Sequence, residues 1–169
     1  MGLFCRLTLL AVLTLGLGAN ARAAAAPQTS NHWLRSLLGQ HIVTSGDVML
    51  AVQLFVETPG WKVDPSWALD KTAARGWIRR HQIVQVASPA TRGFAAQLFA
   101  QALHIKGGVW LRLTGNSAYH AYRELKLLGM LPEGGPGVLL TGDELSGLMS
   151  SAARYQEVGP ERPATSAGR

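Results

Sequence analysis

Three threonines in this chain each open the same apolar ladder. Thr44, Thr91 and Thr141 are followed by apolar residues at plus 4, plus 7, plus 8 and plus 11. The ladders read Val48, Ala51, Val52, Phe55; then Ala95, Leu98, Phe99, Ala102; then Leu145, Leu148, Met149, Ala152. That spacing is one buried helical face, and a threonine just before it is a natural N-cap. Its recurrence at separations of 47 and 50 residues points to a repeat architecture. A repeat of packed helices favours a binding or structural role over a catalytic one.

Capping chemistry sharpens the three starts. Thr44-x-x-Asp47 places an acid three residues after the cap, and Thr141-x-x-Glu144 is a full capping box. Val43/Val48, Ala90/Ala95 and Leu140/Leu145 occupy the hydrophobic-staple positions around the three threonines.

A shorter helix is expected before each ladder. In the first, Trp33, Leu34, Leu37 and Leu38 share a face, with Ser30 or Asn31 as cap. In the second, Asp70 caps a helix whose face is Ala73, Ala74, Trp77 and Ile78, ending near His81-Gln82-Ile83-Val84. In the third, Ser117 caps a face of Ala121, Tyr122, Leu125 and Leu128, and Gly129 stops it. The ladder helix after Thr91 is read as residues 92–105, and the last one ends near Tyr155.

The expected fold is therefore all-α: three helix–loop–helix units packed as one domain. Residues 30–57 form unit 1, 58–67 a loop, 68–105 unit 2, 106–116 a linker and 117–156 unit 3. Residues 109–113 alternate in a period of two, as a short strand or an extended cover strip would. Trp61 and Trp67 fall in or beside the first loop, as core cover or as an exposed carbohydrate or partner contact. Residues 157–169, Pro-rich and polar, read as a disordered tail. The units fit a closed pseudo-threefold cluster or a linear stack equally well.

The N-terminus reads as an export signal. Arg6 supplies a basic start, residues 7–17 an apolar core, and Ala21-Arg22-Ala23 a small-x-small cleavage site, with Ala19-Asn20-Ala21 as a fallback. Residues 1–23 are then a cleaved signal peptide and 24–29 a flexible leader. Cleavage removes Cys5, the single cysteine, and with it disulfides, zinc-thiolate sites and cysteine nucleophiles. Losing Arg6 and Arg22 takes 16 basic residues to 14 against 10 acids, a net charge of +4. That mild excess suits solubility, and equally an anionic envelope polymer or a phospholipid surface. No later segment is apolar enough to span a membrane, and an exported chain of modest charge is a poor candidate for nucleic-acid binding.

No catalytic motif stands out. His32, His41, His81, His104 and His120 include no i, i+4 pair, and no nucleophile elbow or phosphate loop occurs. No cofactor is implied. Glu124, with His120 beside it, is the one carboxylate that fits a glycan-hydrolase general acid, and it carries the alternative of a small periplasmic peptidoglycan hydrolase. A third reading is a helical accessory protein that recognises a partner.

Taken together, His32-Trp33, Ile42-Val43, Ile83-Val84, Ala90-Thr91-Arg92-Gly93, Gly129-Met130-Leu131 and Leu140-Thr141-Gly142-Asp143-Glu144 resemble the pattern of S-layer homology repeats. These are cell-envelope anchoring modules that commonly come in threes. The resemblance covers about residues 30–155. It implies a non-catalytic, exported module, periplasmic or envelope-associated, binding an acidic cell-wall polysaccharide or an envelope protein. In that family the arginine after the threonine contacts the polymer. Only Arg92 matches; Ser45 and Gly142 stand at the other two positions. Arg92 also has its own argument: it sits at the positive end of a helix, where free N–H groups and a guanidinium favour a carboxylate. The competing account makes it part of an arginine-rich solvated face, with Arg75, Arg79 and Arg80 reaching Glu57 or Asp70.

Overall fold

The structure is a computed structural model that describes residues 30–57, 64–78, 84–105 and 117–159. The expectations for the signal peptide, the leader, Trp61, Arg79, Arg80 and the strip at 109–113 lie outside these residues. The fold is all-α. Among the described residues there are six helices: α1 (Ser30–Leu38), α2 (Ser45–Val56), α3 (Pro65–Ala74), α4 (Arg92–Ala102), α5 (Ala118–Leu127) and α6 (Gly142–Val158). No described helix is long and apolar enough to cross a membrane.

The three ladder helices start where their threonines place them. Thr44 and Thr141 form reciprocal capping boxes with Asp47 and Glu144, while Thr91 accepts the Phe94 N–H. The ladder side chains are almost all buried, and so are Val43, Ala90 and Leu140 just before each cap. Along α1, Trp33 and Leu37 are buried, but Leu38, expected on the same face, is 53% exposed.

Unit 2 differs from its expected register. Its first helix begins at Pro65, inside the expected 58–67 loop, and its cap is Asp64 rather than Asp70. Asp64-Pro65, read as a turn, is an N-cap followed by a proline at N1, where the missing N–H costs nothing. The helix stops at Ala74, well short of His81, because Gly76 turns the chain at φ +70°. The buried face is consequently Ala68 and Thr72, flanked by Trp67 and Leu69, while Ala73 and Ala74 face solvent. Trp67 thus belongs to the core-covering face of α3.

Two further ends moved. Helix α4 stops at Ala102 rather than 105, because His104 takes a left-handed φ of 50° and Ile105 N–H folds back to the Ala100 carbonyl at 2.9 Å. Helix α6 runs to Val158, past the expected end of unit 3, and Gly159 caps it. Residues 157 and 158, expected in a disordered tail, are helical, because nothing before Gly159 breaks the i to i+4 ladder.

Backbone hydrogen bonds decide between ring and stack. Val43 donates its N–H to the Leu140 carbonyl at 3.0 Å, Leu140 to Ala90 at 2.9 Å, and Ala90 to Val43 at 2.9 Å. The residues preceding the three threonines thereby close a cyclic triangle, a pseudo-threefold arrangement. Short antiparallel bridges, Thr44 with Pro89 and Thr91 with Leu139, flank it.

The helix pairs are out of phase with the sequence units. Helix α3 packs on α2, α5 on α4, and α1 on α6. Each unit's first helix thus lies on the ladder helix of the preceding unit, and α1 closes the circle against the last. Trp33 reinforces the start of α2 by donating its indole N–H to Asp47 Oδ1 at 3.0 Å. Between α2 and α3, fully buried Gln53 donates to Thr72 Oγ1, which in turn donates to the Ala68 carbonyl.

Candidate functional site

The starts of the ladder helices meet where neighbouring units touch, so the first residues after each threonine face the next unit. Ser45 and Gly46 donate their N–H groups to the carbonyls of Ser88 and Val86; Arg92 and Gly93 donate to Val138 and Pro136; Gly142 donates to Gln40. At Gly142 and Gly93 the approach is close enough to require glycine. A Cβ on Gly142 would lie 1.8 Å from the Leu37 carbonyl oxygen, and one on Gly93 would lie 2.9 Å from that of Pro136.

The N–H groups expected to be free beside Arg92 are taken. The N–H groups of Arg92 and Gly93 bind carbonyls of unit 3, and that of Phe94 binds Thr91 Oγ1. The first turn of α4 has no free donor left among these three to hold an anion.

The Arg92 side chain is committed as well. Its Nε donates to Glu144 Oε2 at 3.2 Å, Nη2 pairs with Glu144 Oε1, and Nη1 donates to the Glu133 carbonyl at 2.9 Å. The two side chains are 12% and 20% exposed. The Glu144 hydrogen bond holds the guanidinium above its ordinary pKa, against the opposing effect of burial. Glu144 Oε2 also accepts the Thr141 N–H at 3.3 Å. One carboxylate therefore caps α6 and anchors unit 2 to unit 3. The capping role of Glu144 is legible locally, whereas its pairing with Arg92 across the units has no local signature.

The other cations are placed apart. Arg75 pairs with Glu57 at 2.6 Å, with Lys71 3.8 Å from the same oxygen, and the Arg75 guanidinium lies 5.1 Å from the centre of the Trp77 ring. The predicted reach from Arg75 to Glu57 is thus present.

At the interface of units 1 and 2, the position equivalent to Arg92 is Ser45, and the space stays open. A groove of about 180 Å³ lies there, lined by Ser45, Gln85, Ser88, Thr91 and Phe94 among others. Its lining offers hydroxyls, an amide and one half-buried aromatic ring, with no charged side chain. A second hollow, about 200 Å³, lies between the end of α5 and the end of α6, beside Met130, Arg154 and Tyr155. Glu124 and His120 sit on α5 and line neither cavity.

No family model and no curated protein matches this chain.

Proposed function

We propose that this chain is a non-catalytic module of the cell envelope that binds a cell-wall polymer between its units. One observation carries the reading: the three units close into a ring, and the interface that has Ser45 in place of an arginine keeps an open groove beside Phe94. Hydroxyl and amide groups around an aromatic ring suit a sugar, whose C–H face packs on the ring while its hydroxyls exchange hydrogen bonds. Arg92, the residue the resemblance would assign to an acidic polysaccharide, serves in this reading as the clamp between units 2 and 3. An acidic group on the polymer would have to displace Glu144 to reach it. The resemblance to S-layer homology repeats supports the envelope setting.

Sedimentation with isolated cell wall tests the reading. The wild type should pellet with the wall. Phe94→Ala and Ser45→Arg, which remove the ring and fill the groove, should abolish pelleting without unfolding the chain. Pelleting unchanged by both variants would sink the groove as the site.

A further inference from the structure

The ring of units has an outer face as well as a core face. Successive side chains along an extended segment point to opposite sides. Val43, Ala90 and Leu140 point inward and are 0–1% exposed, so the residues before them point out. Those residues are Ile42, Pro89 and Leu139, and all three are exposed. Leu38, at the end of α1, and Val138, next to Leu139, are exposed beside them; with Ile42 and Leu139 they are 42–53% exposed. The three loops that build it, residues 38–42, 84–90 and 134–140, contain no Asp, Glu, Lys or Arg.

We propose that this face docks on a phospholipid bilayer, with Ile42, Leu139, Val138 and Leu38 entering its apolar layer. The proposal is independent of the glycan groove. Three features favour lipid over protein. The exposed apolar area is on the order of a few hundred Å², against about 800 Å² per partner in a stable protein complex. Part of the backbone here is already bonded: the N–H groups of Val43, Ala90 and Leu140 bond around the ring, those of Ser88 and Val138 within their own loops, and that of Gln40 to the Leu37 carbonyl. Pro89 has no N–H to satisfy. Each bond already made is one group fewer to strip of water on entering an apolar medium, where an unpaired backbone group is costly. From Ala24 onward the chain keeps 14 basic residues against 10 acids, a net charge of +4 that draws it to anionic headgroups while the uncharged tip inserts.

The test uses the chain from Ala24, because every described residue lies beyond the apolar N-terminal stretch. Vesicles of phosphatidylethanolamine and phosphatidylglycerol are sedimented with the wild type, with Ile42→Asp/Leu139→Asp, and with Leu127→Asp/Val158→Asp, whose two exposed residues lie away from the ring. The wild type should pellet, the first variant should lose about tenfold or more in apparent affinity, and the second should match the wild type. A Val138→Trp chain should gain emission that is blue-shifted and quenched by bromine-labelled acyl chains. Three results would overturn the proposal. One is a wild type that stays in solution. Another is binding that high salt abolishes and the ring-face variant leaves unchanged, which is simple attraction of a basic chain. The third is a lipid-free dimer, seen by light scattering and dispersed by Ile42→Asp/Leu139→Asp, which would make the face a contact between two copies.

Discussion

Arg92 and Glu144 lie 52 residues apart and meet in a two-point ion pair that joins the second ladder helix to the third. Both termini of the interaction are helix starts. The carboxylate is fixed by its own capping box, so the guanidinium meets an acceptor that is already oriented. Removing Arg92 should therefore act on stability. Arg92→Ala should cost about 1–3 kcal/mol in urea unfolding. Arg92→Lys should recover only part of that, because an ammonium cannot reproduce the fork. Glu144→Ala should cost more than Arg92→Ala, since it also removes the cap. In a double-mutant cycle the pair should couple by about 1–2 kcal/mol. A coupling near zero would mean that the contact is ornamental.

Two glycines of α6 should respond in opposite directions. Gly142 faces the Leu37 carbonyl, and Gly142→Ala should cost about 3 kcal/mol or more by forcing units 1 and 3 apart. Nothing lies within 4 Å of a Cβ on Gly147, and Gly147→Ala should stabilise the helix by about 0.5–1 kcal/mol. Thermal or urea melts of the two variants read the contrast directly.

His104 holds a left-handed conformation that ends α4. Glycine occupies the corresponding place after α3 and α5, at Gly76 and Gly129, both at φ +70°. His104→Gly should raise stability by about 1 kcal/mol. A loss instead would show that the imidazole makes a contact worth more than the strain.

Gln53 leaves its Oε1 buried with no partner among the described residues, although its amide N–H reaches Thr72. Thr72→Val alone should cost about 1–2 kcal/mol by stripping the amide of its acceptor. Joined with Gln53→Met, the same change should be close to neutral. Unfolding midpoints of both variants, measured with constant urea dependence, check this.

Much of the fold was legible because its signals are local. Caps and staples involve residues three to five apart, and the chain announces them wherever it runs. At the start of α3 two local signals compete. Asp64-Pro65 serves a turn or a helix start equally well in isolation, and only the packing of Trp67 and Ala68 on α2 selects the start. The candidate site was less legible. Arg92 stood out by position, but its partner did not, because a glutamate that caps one helix gives no sign that it also faces another. The Ser45 groove gave no signal beyond a missing arginine.

Local signals along the chain fix where the three ladder helices begin, which faces they bury and how they are capped. Periodicity and capping are written in side chains close along the chain. Long-range packing alone settles that the units close into a ring, that helices pair between neighbouring units, and that Arg92 is committed to Glu144. The triangle of Val43, Ala90 and Leu140 is made by backbone groups that nearly every residue carries. No choice of side chain at those positions spells out which distant carbonyl a given N–H will find.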